Sequence, residues 1–284
     1  MTALKRNISD YVFLILALSS ISVLALITAF IVVQGVPLIA EVGLFNFIFG
    51  TTWAPGRGEY GIFPMIIGSV TVTVGAALIG VPVGICCSIF LAEFAPPLLK
   101  NIFRPAIQLL AGIPSVVYGF WGLVFIVPFI RDYLGGPGLS ILAGSVILAI
   151  MILPTIISIT EVSMTTLPAQ YKDGSLALGL THWQTIYSVL LPAAKSGIVA
   201  AVILGIGRAI GETMAIIMVL GNAVAVPQSV LDPVRTLTTN IGIEMGYAAD
   251  EHRQALFATG IVLFVIIMLL NSLAQYIVRG KKIK

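Results

Sequence analysis

The sequence predicts an all-α membrane protein of six transmembrane helices with both ends on the cytoplasmic side. Three observations lead there. Of the 284 residues, 58% are hydrophobic and only 10% are charged, whereas a soluble domain uses about 25% charged residues to face water. The few charges leave long gaps between them. Lysine and arginine then divide unequally between the ends of those gaps. A net charge of +3 is too small to argue for a nucleic-acid partner.

The first charge-free run, Tyr11 to Ala40, is long enough to cross a bilayer core as a helix, which takes ~20 apolar residues. It exceeds the apolar stretch of a cleaved signal peptide, about 7–15 residues, so an uncleaved first span is expected. A loop read as external follows, from about residue 37 to 62, dense in aromatics and glycine. Phe45, Phe47, Phe49 and Trp53 suit a bilayer interface, where amphipathic rings collect, or a docking surface for an outside partner. Residues 1–62 thus form one unit, ahead of a core over 63–284 with five more spans.

Those spans are Tyr60 to Ala92, Pro105 to Ile130, Tyr133 to Thr160, Ser196 to Leu231 and Gln254 to Val278. The runs are continuous, whereas barrel strands alternate over about ten residues, so helices are expected. Pro114 and Pro154 fall inside spans, where proline kinks a helix and frees carbonyls. Gly112, Gly119 and Gly122 permit close helix approach. The fifth run alone is interrupted by charge, at Arg208 and Glu212.

Orientation follows from the basic residues. With six spans the termini share a side. That side carries Lys5, Arg6, Lys100, Arg104, Lys172, Lys195, Arg279, Lys281, Lys282 and Lys284, against Arg57, Arg131, Arg235 and Arg253 on the other. The richer side is the cytoplasm.

Several functions are disfavoured. Cys86 and Cys87 are adjacent, point apart on a helix and read as small buried hydrophobes. His182 and His252 have no metal-ligand spacing around them. An intramembrane enzyme would need a nucleophile–base set, and no histidine or aspartate is expected at membrane depth. The spans leave no room for a nucleotide-binding domain, and the phosphate-loop motif is missing from the sequence. This chain is therefore expected to bind no cofactor. If transport here is powered by ATP, another chain supplies the ATPase that uses ATP and Mg.

The internal loop, about residues 161–195, contains "DGSLALGLTHWQTIYSVLLP", Asp173 to Pro192. It reads as a short helix, a break at Gly179 where a left-handed residue can end it, and a second helix entering the membrane. This spacing resembles the "EAA" signature of ABC importer permeases. Asp173, Gly174 and Ser175 stand at the Glu-Ala-Ala positions, Gly179 at the glycine, Val189 at the isoleucine and Leu191-Pro192 at the close. "LLAGIPSVVYGFWGLVFIVP" from Leu109, "AGSVILAIMILPTI" from Ala143 and "GIGRAIGETMA" from Gly205 narrow the likeness. Together they resemble the PstC-type permeases of phosphate-specific importers. The resemblance implies a type I ABC importer permease fold in a bacterial inner membrane and import of inorganic phosphate. It also implies a second permease subunit, an ATPase dimer seated on the loop as coupling helix, and an external phosphate-binding protein. Another oxyanion, molybdate or sulfate, is the alternative cargo. An ion-coupled secondary transporter is the alternative class, but it would often show internal repeats, and none is visible.

Arg208 lies about 18 Å into its span at ~1.5 Å per residue, near the middle of the bilayer. An arginine there costs at least ~2.5–3.5 kcal/mol. Arg208 and Glu212 are either an i,i+4 pair that neutralises itself or the charged lining of an anion path. Guanidinium offers paired donors to phosphate oxygens, and Glu212 would compete for them. The resemblance also implicates an Arg and a Glu at these positions in phosphate transport. Gly205, Gly207 and Gly211 would let a neighbouring helix close here as a gate. Ser69 and Thr73, on one helix face, could donate to a passing anion or bond across helices. Ser115 is a further pathway candidate.

Overall fold

The computed structural model describes residues 8–279. Lys5, Arg6, Lys281, Lys282 and Lys284 of the charge count lie outside them. Helix α1 (Ile8–Val42) is followed by short α2 (Leu44–Phe49) and a hairpin of β1 (Trp53–Ala54) and β2 (Glu59–Tyr60). Then come α3 (Phe63–Ile89), α4 (Pro97–Gly112), α5 (Ser115–Trp121), α6 (Val127–Tyr133) and α7 (Ile141–Thr165). The loop holds α8 (Ala169–Ala177), α9 (His182–Thr185) and α10 (Leu191–Ala193). The chain finishes with α11 (Lys195–Gly211), α12 (Met214–Val219), α13 (Leu237–Glu244) and α14 (Asp250–Arg279).

Five helical stretches are long and apolar enough to cross a membrane, and six when α9–α10 and α11 count as one span bent by 70°. Helix α7 is the central one. Its most apolar stretch is 67% buried inside the protein, against 0% for α1, which needs lipid around it. The core forms where α3 and α7 pack together: Val72, Ala76, Ile147, Ile152 and Ile156 are almost fully buried. Helix α1 lies against α14, with Phe30 edge-on to Phe257 at 5.5 Å between ring centroids.

Two expected boundaries move. The run Pro105 to Ile130 is not one helix. Pro114 has no N–H to continue a helix and holds Ile113 extended (φ −66°, ψ 128°). The span therefore starts at Ser115 and passes through the wide turn Gly122–Ile126 into α6, leaving α4 as a separate helix with no buried residue. The next span starts at Ile141 rather than Tyr133, because Gly135, Gly136 and Gly138 all take positive φ. Ser140 then caps α7, accepting from the Ala143 N–H at 3.2 Å. Pro154, by contrast, sits buried inside an unbroken α7.

The aromatic loop also divides. Phe45 and Phe49 are exposed, as an interface ring should be, but Phe47 is fully buried and Trp53 nearly so. Trp53 stands opposite Tyr60 in the hairpin. Burial raises the Tyr60 hydroxyl above its ordinary value, and the charges of Glu251 and Glu41 push the same way. Cys86 faces outward from α3 rather than into the core, and both cysteines are free.

Candidate functional site

The charged span is broken where the charges lie. Helix α11 stops at Gly211 because Glu212 turns extended (φ −68°, ψ 137°) and Thr213 is also non-helical (φ −123°, ψ −58°). Helix α12 then restarts at Met214. The Glu212 carboxylate caps that restart, Oε1 accepting from the Ala215 N–H at 3.2 Å. An anion at a helix N-terminus is favoured by its free N–H groups and dipole. The i,i+4 geometry expected for Arg208 and Glu212 is lost because the extended backbone takes Glu212 off the helix face. Among the described residues no ion pair joins them.

Arg208 sits half-buried in the last turn of α11, where free carbonyls favour a cation. Tyr118 of α5 is buried. The Tyr118 hydroxyl donates to the Leu110 carbonyl at 2.7 Å, bridging the break at Pro114. Ser115 is the first residue of α5 and is partly exposed. Gly207 and Gly211 face open space on α11, while Gly205 packs against Ile156 of α7. Ser69 and Thr73 are both buried in α3. The Ser69 hydroxyl accepts the Leu237 N–H at 2.9 Å and so holds the start of α13. Thr238 of α13 in turn donates to the Glu212 carbonyl at 2.8 Å.

The loop forms the other region. Asp173, Gly174 and Ser175 lie in α8, and Gly179 takes φ +87°, the left-handed value that ends a helix. Thr181 caps α9 in a reciprocal box with Gln184. Val189 lies in the wide turn Ile186–Leu190, and Leu191-Pro192 open α10 before the bend into α11. Ser175 ties the two halves, Oγ to Thr185 Oγ1 at 3.0 Å. Glu93, at the end of the α3 span, receives Lys172 Nζ at 2.6 Å and sits 3.2 Å from His182 Nε2. Arg104 of α4 grips Glu161 of α7 through Nε and Nη2, at 2.8 and 2.6 Å. Leu178, Trp183 and Tyr187 point outward, 83%, 66% and 77% exposed. Among the described residues no His/Cys/Asp/Glu group could hold a metal ion.

Residues 84–283 match the family of binding-protein-dependent transport system inner membrane components. The chain belongs to this family. It is a multi-pass inner-membrane permease.

Its relatives include a probable ABC transporter permease protein, YqgH, of Bacillus subtilis, 43% identical over 94% of this chain and 89% of that one. The phosphate transport system permease protein PstC of Xylella fastidiosa is 38% identical over 78% of this chain and 74% of its own. PstC 1 of Mycobacterium tuberculosis is 32% identical over 82% and 81%. Among solved structures, the alginate ABC transporter in complex with its pentasaccharide-bound periplasmic protein aligns with TM-score 0.68 at 13% identity, over 96% of this chain and 95% of that one. The inward-facing MetNI methionine transporter aligns at TM-score 0.59 and 21% identity, over 81% and 99%. These two establish the shared fold.

Sequence reasoning missed two residues at the permease's break, Tyr118 and Thr238. Tyr118 lies in an aromatic stretch where nothing marks one ring out from another. Thr238 belongs to the polar run Thr236-Leu237-Thr238-Thr239, which stands out in so apolar a chain. It follows the fifth span, and nothing in the sequence shows that α13 folds back onto Glu212.

Proposed function

We propose that this permease is the membrane subunit of an ATP-driven importer for inorganic phosphate. It would work with a PstA-like second permease, a PstB-like ATPase dimer and a PstS-like external phosphate-binding protein. Both termini and α8 lie on the cytoplasmic side in this reading, and the hairpin lies outside. The observation that carries it is the broken span: Arg208 stands without a carboxylate partner inside an otherwise uncharged run, beside a carboxylate already engaged at a helix start. The permeases named for phosphate transport, at 32–38% identity, support the cargo.

The chemistry follows from donors and acceptors. Arg208 presents paired N–H donors that match phosphate oxygens. Glu212 repels an anion while it caps α12. Loading and release would be tied to a change at the break, where that carboxylate is held. The open α11 face at Gly207 and Gly211 is where the second permease would close the path. Pathway roles for Ser115, Ser69 and Thr73 belong to this proposal, Ser69 through its hold on α13. On the other side, the exposed Leu178, Trp183 and Tyr187 would dock on the ATPase. The contacts Lys172–Glu93 and Ser175–Thr185 would carry its closure into α3 and the bent α10–α11 joint.

The test is labelled phosphate uptake in cells lacking their own high-affinity system, carrying the partner subunits and this chain. The native chain should restore uptake, and Arg208→Gln at equal membrane level and intact assembly should reduce it more than tenfold. Equal uptake by both removes Arg208 from the transport cycle. Uptake of labelled sulfate or molybdate in place of phosphate would correct the cargo.

A further inference from the structure

The permease also buries a charged assembly around Glu244. Glu244, at the end of α13, is 6% exposed and receives bonds from three separate elements. Arg235 Nη1 donates to Oε1 at 2.6 Å. The Trp53 indole of the hairpin donates to Oε2 at 2.8 Å, and His252 Nε2 of α14 lies 2.8 Å from the same oxygen. Arg235 also donates to the Asn222 carbonyl at 3.0 Å and to Asn240 Oδ1 at 3.1 Å. One end of α13 is therefore registered to the hairpin, to α14 and to the loop after α12.

The other end of α13 is registered to the break. Leu237 N–H is held by Ser69, and the Thr238 hydroxyl donates to the Glu212 carbonyl at 2.8 Å. The contact is close along the helix: a Cβ on Gly242 would lie 2.7 Å from the Thr213 methyl. A helix of eight residues, Leu237–Glu244, thus touches the hairpin at one end and the broken span at the other. It is too short to flex between them, about 12 Å at 1.5 Å per residue.

We infer that α13 is a transmission element and Thr238 a positioning residue for transport: a displacement of the hairpin is passed through Glu244 and α13 to the Glu212 break. The hydroxyl of Thr238 satisfies a carbonyl that the extended backbone leaves without a helical partner. With that bond in place Glu212 stays turned to cap α12. When α13 shifts, the bond is released and Glu212 can leave the cap. This inference rests on the proposed function, which puts the hairpin on the side where a binding protein docks.

The experiment uses the assembled complex in nanodiscs, with ATP hydrolysis measured with and without the loaded binding protein. Thr238→Val removes the donor at nearly constant shape, and Thr238→Ser restores it. The native complex and Thr238→Ser should be stimulated alike. Thr238→Val should raise the unstimulated rate severalfold and lose most of the stimulation, at unchanged assembly. A purely structural role would lower the yield of complex for Thr238→Val and leave the stimulation ratio of what assembles intact. That result, or failure of Thr238→Ser to restore coupling, overturns the inference. The readout does not depend on the cargo. Native complex that hydrolyses ATP in response to a binding protein but does not move phosphate would sink the cargo reading alone.

Discussion

Replacing Glu244 by Gln offers a quantitative check of the buried charge assembly. The carboxylate uses both oxygens: Oε1 toward Arg235, Oε2 toward Trp53 and His252. A glutamine has one oxygen and one NH2, so one side must face donor to donor. With the oxygen kept toward Arg235, a charge-assisted bond becomes a weaker one, a loss of about 1 kcal/mol. His252 can present a ring nitrogen as acceptor, but the Trp53 indole is a donor only. Left buried and unpaired it costs ~1–3 kcal/mol. The expected total is roughly 3 kcal/mol, read from SDS-titrated unfolding in dodecylmaltoside micelles by circular dichroism. The decisive comparison is a double-mutant cycle with Trp53→Phe, which has no donor to orphan. The double variant should be more stable than the sum of the single losses by about 1–2 kcal/mol. Additive losses would refute the argument, because they would mean that Trp53 and Glu244 do not share the interaction.

Other expectations are simpler. A Cβ on Gly119 would lie 2.8 Å from the Ala215 Cα and carbonyl oxygen, and backbone cannot yield as a side chain can. Gly119→Ala should therefore destabilise by ~1–3 kcal/mol in the same titration, whereas Gly112→Ala, which meets nothing within 4 Å, should not. Gly179→Ala places a side chain at φ +87°, a cost of roughly 1 kcal/mol. It should speed proteolysis at the α8–α9 joint about fivefold in dodecylmaltoside micelles. Glu93→Gln strips the partner of both Lys172 and His182 and should loosen the loop measurably by the same proteolysis. Lys172→Met removes one half-exposed pair and should change it by less than threefold, as exposed pairs contribute under ~1 kcal/mol.

Much of this architecture is legible one residue at a time. Transfer from water to lipid depends on local composition, so charge-free runs locate α1, α3, α7 and α14 without a partner in view. The loop motif is legible for a similar reason: Gly179 adopts without strain the left-handed conformation that ends a helix. The errors came where backbone direction was at stake. Pro114 and Pro154 look alike in the sequence, yet a helix ends at Pro114 and continues through Pro154. Burial of α7 among its neighbours overrides the local penalty at Pro154.

The site divides along the same line. Composition alone determined that Arg208 and Glu212 are costly at membrane depth and so must face protein, water or cargo. It could not determine what each charge answers to, because the partners are distant in sequence. Glu212 meets the Ala215 N–H only because the backbone turns extended at the break. Thr238 reaches Glu212 across 26 residues, and Trp53 reaches Glu244 across 191. Hydrophobicity is a property of a segment and can be read along the chain. Hydrogen-bond pairing is a property of two points in space, and only the packing of the tertiary structure chooses them.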